Sequence, residues 1–419
     1  AGIEAIRREL EDFKDSGKFI VSYGDYYTQG AYYLCSVADS VFLNPQGSVS
    51  LVGLASQGLF FTGLAEKIGV EHYIFKVGTY KSAVEPFFLK KFSDANREQL
   101  TSFLGSVWGN LTTAIEKSRN ISSDELDRYL NEGLAMGQAS NAVDYKLADG
   151  LRYRYEVENC VKEMAGQDVK GKLKTAGVDK IVSIKVKEKE NKNKIAVLYA
   201  EGEIRDEDSS SPFSADEQVI SEEMANKLRK LKDDDDVKAV VFRVNSPGGS
   251  AYISEQIWKE VVELKAKKPI VVSMGNYAAS GGYYISCAAN KIVAERTTLT
   301  GSIGVFGVVR NFTGTFDKVG VTTDIVKTNT FADLGDISRP MREDEKALIQ
   351  RGVEQTYDLF LTRCADGRGM TKAEIDSIGQ GRVWTGEQAL ERGLVDQLGG
   401  MDDAIKEAAT LAELTDYSV

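Results

Sequence analysis

Residues 273–294 read SMGNYAASGGYYISCAANKIVA, and residues 22–43 read SYGDYYTQGAYYLCSVADSVFL. Laid one under the other, Gly24 meets Gly275, Asp25 meets Asn276, and Tyr32-Tyr33 meets Tyr283-Tyr284, each 251 positions apart. The spacing then holds without a gap through LVGLASQGLFFTGLAEKIGVEHYIFKVGTYK and SIGVFGVVRNFTGTFDKVGVTTDIVKTNTFA. Gly53 falls on Gly304, Gly63 on Gly314, and Lys67-Ile68-Gly69-Val70 on Lys318-Val319-Gly320-Val321. Agreement over such a length marks an internal duplication, two copies of one domain.

The duplication sets the expected organisation. The first repeat covers 1–163 and the second 194–419, joined by a linker at 164–193 that takes in most of the lysine-rich run KGKLKTAGVDKIVSIKVKEKENKNK. Charge runs of this kind are ordinarily solvated, and DDDD at 233–236 reads as a turn between a helix and a strand. Residue 1 aligns with about residue 251, so the first repeat has no counterpart to 194–250. The expectation is a leading segment before residue 1, with room for a membrane anchor. In the second repeat, apolar β-branched runs (KIAVLYA, VKAVVFRV, PIVVSM, KIVAE) alternate with helical patterns (EEMANKLRKLK, SEQIWKEVVELKA, GGYYISCAA). That alternation indicates βα units and a largely parallel, buried sheet, an α/β fold present in tandem.

Composition excludes several classes. A formal net charge of −11 and an isoelectric point near 5.0 argue against nucleic acid as a partner. The four cysteines are scattered, with no CxxC pair and no Cys/His cluster, which speaks against a zinc site or a disulfide framework. No apolar run reaches the roughly eighteen residues a spanning helix needs.

Three loops follow strands in the order a hydrolase would use. RVNSPGGS (243–250) carries Gly248 and Gly249, which let backbone N–H groups approach a ligand closely. Ser280 precedes Gly281-Gly282 at a helix start, where free N–H groups favour an anionic intermediate. TLTGSIGV (298–305) places Ser302 in a glycine-flanked turn. Singly, each has a plain structural reading: a turn, or a helix cap at Ser280. Together they favour catalysis, with Ser280 as nucleophile. A serine needs a base, and the chain has a single histidine. His72 lies in the strand-like run VEHYIFKV opposite Thr323 and reads as structural.

NSPGG followed by a strand and a small-residue serine turn resembles the Clp protease and crotonase superfamily. The closer resemblance is to signal peptide peptidases of the SppA type in their long, duplicated form, carried by RVNSPGGS, AASGGYYIS, LTGSIGV and VGTYKSAVEPF. It implies tandem Clp protease/crotonase-like domains and a serine peptidase whose nucleophile is paired with a lysine. VGTYKSAVEPF points to Lys81 as that general base and acid, with Ser302 orienting Lys81 and the N–H groups of Gly248 and Gly281 forming the oxyanion hole. It further implies that no cofactor or metal is needed, that the substrates are cleaved signal peptides and other hydrophobic peptides, and that copies assemble as a homotetramer. Membrane association, through a segment not in this chain and with the catalytic part on the extracytoplasmic side, follows from the same resemblance. A crotonase-type acyl-CoA enzyme and a non-catalytic assembly scaffold stand as alternatives.

The repeats bear on the dyad. Ser280 aligns with Gln29, Ser302 with Leu51, and Lys81 with Ala332, so each half keeps one part and lacks the other. For Lys81 to work as a base near neutral pH its pKa must fall by roughly three units from about 10.4, on the order of 4 kcal/mol. Burial would do this, with Tyr80, Val84, Pro86, Phe87 and Phe88 as apolar surroundings. Glu85 is expected to face outward or to make a separate contact.

Overall fold

The computed structural model describes residues 2–184, 191–206 and 218–419. Part of the expected linker, 185–190, lies outside them. The chain forms two compact units, one of 1–55 with 104–190 and one of 56–103 with 191–419. This division cuts across the repeat boundary. Residues 56–103 come from the first repeat but belong to the unit of the second, so Lys81 shares a unit with Ser280.

The larger unit is built on a seven-stranded sheet. Lys194–Glu201 pairs in parallel with Val237–Ser246, and Val237–Ser246 in parallel with Ile270–Ala279. The lower half of Ile270–Ala279 pairs with Lys291–Ala294, its upper end with Leu299–Gly301, both in parallel. Only Val383–Thr385 runs antiparallel, on Leu299–Gly301.

Alternation along the central strands fills both faces. Val240, Phe242 and Val244 enter one core together with the helix Ala251–Lys265, while Ala239 and Val241 enter another with Ala404 and Ala408 of the helix Met401–Leu411. Strands covered on both sides have no polar face, which is why the sequence shows continuous apolar runs there. The helix Ala251–Lys265 starts at Ser250, whose side chain accepts from Ile253 N. It buries Ile253, Ile257, Val261 and Leu264, a helical spacing in which each side chain contributes about 1.5–3 kcal/mol. DDDD is the expected turn, between the helix Glu223–Asp233 and the strand Val237–Ser246.

The smaller unit holds a three-stranded parallel sheet of Val21–Tyr27, Ser40–Val49 and Gly150–Leu151. Its core gathers Tyr32, Leu43, Leu51, Ile115 and Tyr129. The duplication is visible in the elements. The helices Thr62–Ile68 and Thr313–Val319 both end on a left-handed glycine, Gly69 and Gly320, and the helices Asp94–Arg119 and Glu343–Arg368 both run for 26 residues.

Candidate active site

The strand Ile270–Ala279 delivers Ser280. A bulge re-aims its end: Val244 stands opposite Met274, yet Ser246 stands opposite Ala278. The extra residues include Gly275, where a Cβ would lie 2.7 Å from Asn245 Oδ1. Such bulges commonly redirect a strand beside a site. Ser280 N then donates to Gly301 O at 2.9 Å, and the chain turns into the helix Gly281–Tyr284. At that turn Ser280 adopts φ 54°, ψ −119°, and its side chain makes no capping hydrogen bond. The plain reading of Ser280 as a helix cap is therefore set aside. A non-glycine residue held at positive φ costs on the order of 1–3 kcal/mol and persists where its surroundings over-determine it.

Lys81 arrives by a different route. The strand Glu71–Val77 pairs antiparallel with Val305–Asn311, Val77 opposite Val305. Lys81 lies just past the end of one strand and Ser302 just before the start of the other, so one short ribbon brings both to the same place. The turn into Lys81 is pinned by the loop at 379–382. Tyr80 N donates to Gln380 O at 2.8 Å, and Gly381 leaves no room for a Cβ, which would stand 2.6 Å from the Lys81 backbone nitrogen. Gly304 is nearly as close, its Cβ position 3.2 Å from Lys81 Cδ. Gln99 holds the turn from the other side, donating to Tyr80 O at 3.0 Å and to Ser82 Oγ at 2.9 Å while accepting from Val383 N.

The three residues singled out in the sequence converge. Lys81 Nζ lies 3.0 Å from Ser280 Oγ, 3.0 Å from Ser302 Oγ and 3.1 Å from the Ser302 carbonyl oxygen. The lysine is 4% exposed, and this burial pulls its pKa from the ordinary 10.5 down to about 8. Glu85 does not face outward. It is buried and accepts from Ser93 Oγ at 2.5 Å and from Asn96 Nδ2 at 2.9 Å, the separate contact that was the other expectation. His72 stacks on Phe87 with centroids 5.0 Å apart, and burial and then Arg310 lower its pKa.

Gly248 and Gly281 meet as closely as backbone allows. A Cβ on Gly248 would lie 2.6 Å from Gly281 N and 2.8 Å from Ser280 Cβ. The Gly248 N–H donates to Ser246 Oγ at 3.1 Å. Among the described residues, the N–H groups of Gly281 and Gly249 have no partner. Gly381, Gly304, Gln99 and the Ser302 carbonyl are parts of the site that the sequence reading did not pick out. The glycines of GQG at 379–381 are a turn signal that pointed there, but nothing local ties that turn to a lysine three hundred residues away. Among the described residues no group of His, Cys, Asp and Glu side chains is arranged to hold a metal ion.

The sequence matches Peptidase family S49 over residues 12–168 and again over 262–415. The chain belongs to peptidase family S49. The family's segment thus occurs twice, as the duplication requires, and Clp protease matches over 211–303. "Protease 4" of Salmonella typhi is 40% identical over 98% of this chain and 67% of its own length, and "Protease 4" of Haemophilus influenzae is 38% identical over the same shares. "Serine protease SPPA, chloroplastic" of Arabidopsis thaliana is 33% identical over 98% of this chain and 61% of its own. The chain thus spans about two thirds of the length of its bacterial relatives. Among solved structures, a ClpP1 mutant from Listeria monocytogenes overlays with a TM-score of 0.33 at 16% identity, over 50% of this chain and 94% of that one. This S49 chain is a serine peptidase acting on peptides, which sets aside the acyl-CoA and scaffold alternatives.

Proposed function

We propose that Ser280 is the nucleophile of a Ser–Lys dyad, with Lys81 its general base and acid and Ser302 the residue that orients the lysine. The 3.0 Å approach of Lys81 Nζ to Ser280 Oγ carries the reading. A neutral amine has two N–H groups and one lone pair. The Ser302 carbonyl can only accept, so one N–H goes there, and the second goes to Ser302 Oγ. The lone pair is left for the Ser280 hydroxyl. Lys81 takes that proton as Ser280 Oγ attacks the peptide carbonyl, and the resulting ammonium gives it to the leaving amine. Water then attacks the acyl-enzyme by the same exchange in reverse. A pKa of about 8 makes the neutral amine accessible at modest cost near pH 7.

The oxyanion takes the Gly281 N–H together with a donor from the 248–249 turn. Gly248 serves if its N–H turns from Ser246 Oγ, and the unpartnered Gly249 N–H stands beside it. Signal peptides and other hydrophobic peptides are the proposed substrates. Phe306 is 43% exposed with its ring 5.9 Å from Lys81 Nζ, an apolar flank for such side chains. Assembly as a homotetramer at a membrane, with the catalytic part on the extracytoplasmic side, completes the reading. Among the described residues no helix is long and apolar enough to cross a membrane, so the anchor would lie elsewhere.

The test is cleavage of a synthetic signal peptide by the purified chain beside Ser280→Ala and Lys81→Ala. The parent cuts and both variants, folded, do not. Full activity in Lys81→Ala removes the lysine from its role, and full activity in Ser280→Ala removes the nucleophile.

A further inference from the structure

Among the described residues six non-glycine residues have positive φ, and three of them gather around Lys81: Ser280 at 54°, Ser302 at 50° and Gln380 at 52°. Strained backbone of this kind persists where its surroundings over-determine it, and it collects at functional sites. Ser280 and Ser302 have parts in the proposed chemistry. Gln380 carries no reacting group, and glutamine has no special tolerance for the left-handed region.

Every polar atom of Gln380 is bonded. Its carbonyl oxygen accepts from Tyr80 N at 2.8 Å and its Oε1 from Thr79 N at 3.3 Å, so backbone and side chain both grip the turn that leads into Lys81. A Cβ on Gly78 would lie 2.6 Å from the Gln380 carbonyl carbon, which seats that turn directly on the glutamine. On its other side Gln380 is held by two side chains. Its N–H donates to Tyr357 Oη at 3.2 Å, and its Nε2 to Asp376 Oδ1 at 2.5 Å and to Tyr357 Oη at 3.3 Å. Tyr357 closes the ring by donating to the same Asp376 oxygen at 2.6 Å. Tyr357 comes from the helix Glu343–Arg368 and Asp376 from the helix Lys372–Ile378. The tyrosine is buried, and burial followed by its bond to Asp376 pushes its pKa up, so the phenol stays a donor at working pH.

The duplication offers a comparison. The helices Asp94–Arg119 and Glu343–Arg368 lie 249 positions apart, as do the capping boxes Ser122/Glu125 and Thr371/Glu374. In that alignment Trp108 stands for Tyr357, Asp127 for Asp376 and Asn131 for Gln380. Trp108 has no hydroxyl, and Asn131 ends a helix with its amide turned back to donate to Asp127 O at 2.9 Å. The ring occurs in the repeat that carries Ser280 and not in the other.

We propose that Gln380 is a positioning residue for the general base, locked in its strained conformation by Tyr357 and Asp376 and holding Lys81 against Ser280 and Ser302 through the 78–81 turn. The inference rests on the Ser–Lys reading of the site. Without the lock Gln380 relaxes to negative φ, its carbonyl leaves Tyr80 N, and Lys81 gains room to move toward water. Burial is what depresses the pKa of this lysine, so a lysine that reaches water keeps its proton to higher pH. Other charges around the turn are already engaged. Glu98 pairs with Arg382 at 2.8 Å and accepts from Tyr80 Oη, Glu85 is held by Ser93 and Asn96, and Arg310 stands opposite His72 toward the far end of the ribbon.

The test is the pH profile of peptide cleavage between pH 6 and 10 for the parent, Tyr357→Phe and Gln380→Ala. Tyr357→Phe removes one oxygen from a packed ring and keeps the fold even if Gln380→Ala does not. In both variants kcat at pH 7 is expected to fall about tenfold with KM little changed, and the rise of kcat/KM to move up by about one pH unit, so that the deficit closes toward pH 10. Tyr129→Phe removes another buried hydroxyl, one bonded to Val49 O at 2.9 Å in the other unit, and is expected to leave the midpoint in place. Profiles of Tyr357→Phe and Gln380→Ala that keep the parent's midpoint, whatever their height, overturn the positioning role and leave the dyad standing. An equal shift in Tyr129→Phe overturns it too, because general loosening would then suffice. Full activity in Lys81→Ala overturns the Ser–Lys reading and this inference with it.

Discussion

The two repeats reach the same strand-to-helix turn and finish it differently. In the first, Thr28 caps the helix Gln29–Cys35 in relaxed extended geometry, its side chain accepting from Ala31 N. Gln29 then spends its amide on structure: Oε1 accepts from Val52 N and Gly53 N, both at 2.8 Å, and Nε2 donates to Gly53 O at 3.1 Å. In the second repeat the aligned Ser280 sits at φ 54°, caps nothing, and keeps its hydroxyl for Lys81. One copy has converted the turn into a clamp on its neighbouring loop. The other tolerates a strained backbone so that a hydroxyl stays free.

The most severe way to break this contrast is to remove the proposed dyad. Ser280→Ala and Lys81→Ala are each expected to lower kcat/KM by about 10⁴-fold or more, and the double variant no further, because groups that act as one unit are not additive. Gln29→Ser placed in the Ser280→Ala background is expected to restore nothing, since Leu51 and Ala332 stand at the aligned positions of Ser302 and Lys81. Steady-state peptide cleavage measures all four. Recovery of activity in the Gln29→Ser background would mean that the first repeat is not the inert copy.

A smaller effect separates packing from backbone conformation. Gly381 and Gly335 both have positive φ, 77° and 85°, but a Cβ at 381 meets Lys81 within 2.6 Å while one at 335 meets nothing within 4 Å. Alanine at either carries the same kind of backbone penalty. Only Gly381→Ala displaces the lysine, and a shift of about 1 Å at a catalytic group is worth roughly 10²-fold in rate. Equal kinetics in the two variants would show that the 379–382 loop does not position Lys81.

These glycines also mark where the sequence stopped being informative. The sheet was legible because strands buried on both faces need unbroken apolar runs. That Ser280, Lys81 and Ser302 come together was expected from AASGGYYIS, VGTYKSAVEPF and LTGSIGV and the resemblance they carry, and the aligned Gln29, Ala332 and Leu51 added the split between the repeats. Gly381 and Gly304 were not, because their role exists only where the 379–382 loop and the turn after Ser302 close on Lys81, contacts between repeats that no local pattern encodes. For Glu85 the sequence left two outcomes open, an outward-facing acid or a separate contact, and the structure has the second. A lone acid beside a catalytic lysine reads as a threat to its neutral form, and only the fold shows that Ser93 and Asn96 satisfy it instead.

Burial of Lys81 also links the site to stability. Its folded pKa of about 8 lies below the ordinary 10.5, so between these values the unfolded chain binds more protons than the native one. Stability therefore rises with pH across that window, and below pH 8 the native state carries the full cost of a buried ammonium, about 3 kcal/mol. Against Lys81→Met, the parent gains about 3 kcal/mol in relative stability between pH 8 and 10.5. In the same reading kcat/KM rises about tenfold per pH unit below 8 and levels above it. A parent and variant whose unfolding curves keep a constant separation through the window would place the lysine's titration elsewhere.

The least effect belongs to the clamp in the first repeat. Gln29→Ala removes three hydrogen bonds near the surface, a loss of about 1 kcal/mol given their partly exposed partners. Because a chain of two compact units need not unfold in one step, the change is better read locally than from a global transition. The amides of Val52 and Gly53 are expected to exchange with solvent about fivefold faster in the variant, while peptide cleavage stays unchanged. Unaltered exchange would mean that the loop holds itself without Gln29, and the first repeat's turn would then be a relic of the duplication and no longer a clamp.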